Sequence, residues 1–242
     1  MSDTIPKTAT GLTAPEEVSR RLKANLERRG YLLPHQGLMA IAMPRLQDGY
    51  QVMYKALTLD QNQLTDYEKE FVWLAVLAAA GEHIGTHHVK LFLERGGDAV
   101  QAEVVFHLVG LAAGALRSYK FLDEHWERHF PPLRGKQAYW KAAETLIAGS
   151  GVSIGLARLA LLAVHTTLAQ DWGIEAELEA AYAIGVHEGK LAEAACLPMW
   201  ATGMNRTIDA SQIWLDMIRA GRLKVSEPFR VWADTDQGAM PL

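Results

Sequence analysis

The sequence predicts an all-α protein whose second half repeats the pattern of its first, on three observations. Apolar residues recur at three- and four-residue intervals along almost the whole chain, the period that lines one face of a helix. No run of strict alternation bounded by hairpin turns interrupts that pattern, so nothing in the chain argues for a sheet. Leu74-Ala75-Val76-Leu77-Ala78 is echoed by Leu159-Ala160-Leu161-Leu162-Ala163, and each leads through a polar break and a short helix to a glycine and a long apolar helix.

Taken in order, Pro15-Glu16-Glu17 opens an amphipathic helix that runs to about Arg29 and stops at Gly30. A second apolar segment follows from about Leu38, interrupted or restarted at Pro44. Thr65-Asp66-Tyr67-Glu68 is a capping box that starts a helix to about Ala80. The histidine-rich segment is expected to form its own helix from about Glu82 to Arg95, stopped by Gly96-Gly97. Asp98 then caps a long apolar helix through Leu116 and toward Trp126, and Pro131-Pro132 ends the first half. Further helices are expected at about 136–148, 153–170, 175–187 and 191–219. The chain therefore divides into a first repeat with its N-terminal helix at 1–133, a degenerate second repeat at 134–222 and an irregular tail at 223–242.

Composition narrows the function classes. With 242 residues, 49% hydrophobic and 21% charged, the chain is long enough for one large core or two small ones. A net charge of -4 with mixed signs offers no basic stripe to neutralise a phosphate backbone, so nucleic acid is a poor partner and a small molecule a better one. Cys196 is the only cysteine, which removes an intrachain disulfide or a thiolate cage and suits a reducing cytoplasm. No signal-like segment opens the chain, and the apolar stretch from Val104 to Leu116 is too short to span a bilayer, so no membrane segment is expected.

The candidate chemistry lies in Glu82-His83-Ile84-Gly85-Thr86-His87-His88, three of the nine histidines in an Ala-rich surround. Imidazole titrates near neutrality, so a His/Glu group in an apolar setting can move protons or hold a metal. On one helix His83 and His87 would share a face, the spacing of a metal pair, with Glu82 or Glu68 able to add an oxygen ligand. A divalent metal is thus one option. Glu68 is equally explained as a capping-box residue, and His107, between Phe106 and Leu108, reads as a core histidine. His165 and His187 stand alone, and Met199 and Trp200 read as core.

The stretch from Glu68 or Glu70 through Phe71-Val72-Trp73-Leu74-Ala75, followed by His88, Phe92 and Gly96, resembles the carboxymuconolactone decarboxylase and alkylhydroperoxidase-core superfamily. The resemblance covers about Leu38 to His125, with a weaker copy over about Leu156 to Ile218 in which His88, Phe92 and Gly96 fall on Ala181, Gly185 and Gly189. It implies compact helical repeats packed as an intramolecular pseudo-dimer, and a homo-oligomer in which three tandem chains close a ring. It also implies a cofactor-free lyase or isomerase in which His88 transfers a proton on a small carboxylated or carbonyl substrate, tuned by Glu82, His83, His87 and Glu68. The departures are specific. Gly81 and Ile84 stand where the peroxidase branch has cysteines, which argues against disulfide-cycling reduction of peroxides. Ile84 also fills the place of the decarboxylase glutamate, while the second copy has Glu177 there and Ala181 for the histidine. Two other classes stay open: a non-catalytic oligomeric or small-ligand binding module, and a His/Glu metal protein or divergent antioxidant protein.

Overall fold

The computed structural model describes residues 5–238, and among them the chain is all-helical, with a single isolated bridge between Lys7 and Thr13 and no β-strand. Its contacts divide it into two compact units, Met1–Asp60 and Gln61–Leu242. This boundary follows Asp60, whereas the sequence reading divides its halves near residue 133.

In the first unit α1 (Pro15–Arg29) ends at Gly30 in the left-handed conformation, as its sequence signals. Two prolines in the first helical turns then start α2 (Pro34–Ala42) and α3 (Pro44–Tyr54). The unit is held by amides: buried Asn25 donates to Gln36 at 3.2 Å, and the Gln47 amide donates to the Gln36 carbonyl at 3.2 Å. Arg29 lies over the Tyr54 ring at 4.0 Å.

The second unit is built around α4 (Asp66–Ala80) and α8 (Ile154–Leu168), which pack on each other. The Thr65 hydroxyl accepts from the Glu68 amide while the Glu68 carboxylate accepts from the Thr65 amide, so the capping box forms as its residues specify. Around α4 lie α5 (His87–Glu94) and α6 (Ala99–Ala115), and around α8 lie α9 (Asp171–Ala183) and α10 (Glu188–Cys196). Between the two sets runs α7 (Gly135–Ile147), which packs on α6 and α8. The core consists of Phe71, Val72, Trp73 and Val76 of α4, nearly all of α8 from Leu156 to Thr167, and Leu108, Ala112 and Tyr139 between them.

The histidine segment departs from the single helix expected. A 3-10 turn, Ile84–Thr86, precedes α5, and Gly85 has non-helical angles (φ -73°, ψ 15°). Local side chains compete with the helix here: the Glu82 carboxylate accepts from the Ile84 amide at 2.7 Å, and the Thr86 hydroxyl donates to the His83 carbonyl at 2.5 Å. His83 and His87 therefore sit on opposite sides of a break and do not share a helix face.

Two further differences concern helix length. Beyond Ala115 the chain continues through π-type turns, so that Ala99–His129 is one helix of 31 residues. By length and composition it could cross a bilayer, longer than the apolar stretch read from the sequence, although 28% of its most apolar window is buried and its inner face packs on α4, α7 and α8. The single helix expected at about 191–219 is broken instead into the end of α10, α11 (Pro198–Thr202) and α12 (Met204–Arg219) by Pro198 and by Gly203 at φ 91°. The tail expected to be irregular holds α13 (Glu227–Asp234), anchored by Phe229, whose ring lies 5.0 Å from that of Trp214.

Candidate functional site

α4 and α5 lie side by side, which brings Glu70 to His88. Both are buried, 4% exposed, and the His88 Nδ1 lies 2.7 Å from the Glu70 Oε2. With the carboxylate accepting from Nδ1–H, the ring is held in the tautomer whose Nε2 carries the free lone pair, the arrangement of an oriented general base. Trp73 stacks on the imidazole with centroids 4.9 Å apart and planes 23° apart, and the His87 ring lies 4.2 Å away on the other side of the sequence step. The Trp73 face thereby holds the plane of the imidazole. Phe92, one turn beyond His88, continues the same seam and packs with Tyr67 and Phe71 at 5.9 and 6.3 Å.

Of the residues singled out by sequence, only part converges here. His88 and His87 are together. Glu82 and His83 instead line a separate apolar cavity of about 560 Å³ between α4, the 3-10 turn, α5 and α6, and His88 is not among the residues that line it. Glu68 stays at the α4 N-terminus, where Lys190 donates to its carboxylate at 2.7 Å and, with the Thr65 contacts, holds its pKa below the usual range. That is a structural duty, and the catalytic role expected of Glu68 has no geometric support. Among the described residues no group of three or more His, Cys, Asp or Glu side chains gathers as a metal set, and His83 and His87 do not form the helix pair read from their spacing. His107 is corrected from core to surface: its side chain is 49% exposed, 3.8 Å from Glu103.

Glu70 is the residue that sequence reasoning treated as an alternative to Glu68. The signal for it was its place inside Lys69-Glu70-Phe71-Val72-Trp73, a run buried on every side. Its neighbour Lys69 pairs with the buried Glu193 of α10 at 3.0 Å, and Glu193 also accepts from the Gln63 and Leu64 amides at 2.6 and 2.7 Å.

The second half carries a different buried network. Arg158 of α8 and Glu177 of α9, 2% and 0% exposed, pair at 3.3 Å. Burial pushes the Glu177 carboxyl up, and Arg158 and Tyr139 pull it back. Tyr139 bonds His165 Nε2 at 2.8 Å, and Gln170 accepts from its Nδ1 at 2.6 Å, so both ring nitrogens are used and the ring is a neutral structural member. Burial holds the His165 pKa at about 4, against an ordinary 6.5. A histidine depressed on folding contributes stability that is full above its ordinary pKa and lost as pH falls toward the folded value. Relative to a His165→Gln variant, the wild type should therefore lose up to roughly 3 kcal/mol between neutrality and strongly acid pH. Urea midpoints of the two chains across that range check it, and parallel curves would refute it. Gly173 abuts the same ring: a Cβ there would overlap His165, so Gly173→Ala should destabilise by about 1–3 kcal/mol in thermal unfolding.

Compared with models of known protein families, with curated proteins and with solved structures, the chain matches none.

Proposed function

We propose that the chain is a proton-transfer enzyme of the carboxymuconolactone-decarboxylase type, in which His88 is the acid/base and Glu70 positions it. Its substrate is a small carboxylated or carbonyl compound. The observation that carries the reading is the buried 2.7 Å contact between the Glu70 carboxylate and His88 Nδ1, which orders a proton acceptor between α4 and α5. Residues that bury a titratable pair without a structural need for its charge are functional candidates on physical grounds.

Tandem duplication is part of the same proposal. Its support is a series of landmarks that recur in order: side-chain N-caps at Thr65 and Ser153, left-handed ends at Gly81 and Ala169, left-handed glycines at Gly96 and Gly185, and N-caps at Asp98 and His187. In this register Glu70 corresponds to Arg158 and His88 to Glu177, rather than His88 to Ala181. Each copy thus buries one acid–base pair between its first and second helices, with the carboxylate on the first helix in one copy and on the second helix in the other. The first copy keeps an imidazole, a side chain able to take up and release a proton. The second holds a guanidinium, which does not release its proton, and serves stability.

The test is deuterium exchange at the carbon next to a carbonyl, followed by NMR over muconolactone-like compounds, β-keto acids and simple ketones. The wild type should exchange at least one of them and His88→Asn should not. Equal exchange by the two proteins would remove His88 from the mechanism. A second reading, a small-ligand binding module, is favoured by one observation: the cavity takes its polar rim from Glu82 and His83, not from His88.

A further inference from the structure

The cavity beside α5 has a chemistry that selects among ligands. Its wall is almost entirely hydrocarbon and aromatic, with Leu77, Phe92, Val105 and Phe106 among the lining residues. The ionisable groups on it are Glu82, His83 and Asp98, and among the described lining residues there is no Lys or Arg. Both carboxylates are already engaged by backbone: Glu82 accepts from the Ile84 amide at 2.7 Å, and Asp98 caps α6 by accepting from the Gln101 amide at 2.9 Å. The cations nearest in sequence are turned to other partners, Lys90 to Glu94 at 3.6 Å and Arg95 to Asp66 at 2.8 Å.

We infer that this cavity is a binding site for a neutral, largely hydrocarbon small molecule with one hydrogen-bonding oxygen, which His83 or Thr86 on the rim would meet. Its volume of about 560 Å³ falls within the usual range of small-molecule sites. An anionic ligand would give up its hydration with no cation to replace it and would face two carboxylates. A cationic ligand would have to share carboxylate oxygens that already satisfy backbone amides. If the cavity and His88 serve one substrate, the inference narrows that substrate to the carbonyl class. As a statement about binding it stands without any turnover.

The experiment is calorimetric titration of the full chain with octanol, octanoate and octylamine, three heads on one hydrocarbon tail, at neutral pH. Octanol should bind saturably and at least about tenfold more tightly than octanoate, the cost of stripping an unpaired carboxylate of water. Ala102→Trp fills the cavity from α6 and should weaken octanol binding about tenfold, with the circular dichroism of the wild type. Val89 lies at the mouth, 44% exposed, so Val89→Lys supplies the missing cation and should reverse the order of octanol and octanoate even if the tryptophan variant does not fold. Octanoate or octylamine matching octanol on the wild type, a natively folded Ala102→Trp chain that still binds octanol, or an unreversed order in Val89→Lys would each overturn the inference. So would absence of saturable binding in a chain that self-associates until Val89→Lys separates it, since the mouth would then be an interface between copies. Because the readout is binding, its failure leaves the His88 assignment standing, and loss of that assignment leaves this one standing.

Discussion

Arg158→Met is expected to destabilise the protein by about 3–5 kcal/mol, read as a shift of the urea midpoint at mildly alkaline pH. The size follows from what is left behind. Glu177 is 0% exposed, and without the guanidinium at 3.3 Å its charge has no compensating cation in the core. The pair's own net worth is a different quantity, since two buried charges must first be taken from water. Arg158→Met combined with Glu177→Leu should accordingly recover most of the loss, to within about 1 kcal/mol of the wild type. The pH dependence separates charge from packing. Burial pushes the Glu177 carboxyl above its ordinary 4.5, and with Arg158 gone that displacement grows. A carboxyl raised on folding contributes stability that is present below the ordinary pKa and lost as pH rises through the folded one. The deficit of the single variant should therefore stay level up to about pH 7, where Glu177 keeps its proton in both folded chains, and grow as pH rises further, where only the wild type can release it. A deficit that does not change with pH would mean that the guanidinium matters for volume alone.

What could be read in the sequence was the part decided within a few residues. The Thr65 capping box, the Asp98 cap and the stops at Gly30 and Gly96 depend on groups three or four positions apart, and all formed as their spacing requires. The same locality misled in the histidine segment. A four-residue spacing means a shared face only if the helix is continuous, and the Glu82 and Thr86 side chains close a 3-10 turn there. His107 was read as buried because Phe106 and Leu108 flank it, yet Phe106 is itself 65% exposed on the outward face of α6. Local hydrophobicity ceases to report burial where a helix keeps an apolar outer face. In the tail, Pro228 in the first turn with Phe229, Trp232 and Ala233 at helical spacing was a legible signal for α13 that the surrounding polar residues masked. The choice between Glu68 and Glu70 lay beyond local rules. Two positions apart on α4, they point to different sides, one to Thr65 and Lys190 at the helix end and the other to His88 on a neighbouring helix.

Glu70→Gln should reduce proton transfer by about 10²–10⁴-fold in kcat, while leaving the substrate KM within a few-fold and the helix content unchanged. The amide fills the carboxylate's volume, so the 4% exposed site stays packed and no buried charge is stranded. What is lost is the negative partner at 2.7 Å that fixes Nδ1–H and compensates the imidazolium once Nε2 has taken its proton. The glutamine can present either its oxygen or its amino group to the ring, so the Nδ1–H tautomer is no longer enforced. Nitrogen NMR of the imidazole reads that consequence with no substrate present: one tautomer in the wild type, a mixture in Glu70→Gln. The two readouts discriminate the possible roles of Glu70. A mixed tautomer with unchanged kcat would make the carboxylate a packing partner only. An unmixed tautomer with lowered kcat would assign the loss to charge compensation, not orientation. Both changes together are expected if Glu70 acts through His88. Trp73 offers an independent check on the same ring: its stacking at 4.9 Å holds the plane of the imidazole, so Trp73→Leu should lower kcat by a smaller factor, about 5–30-fold, and leave the tautomer as it is.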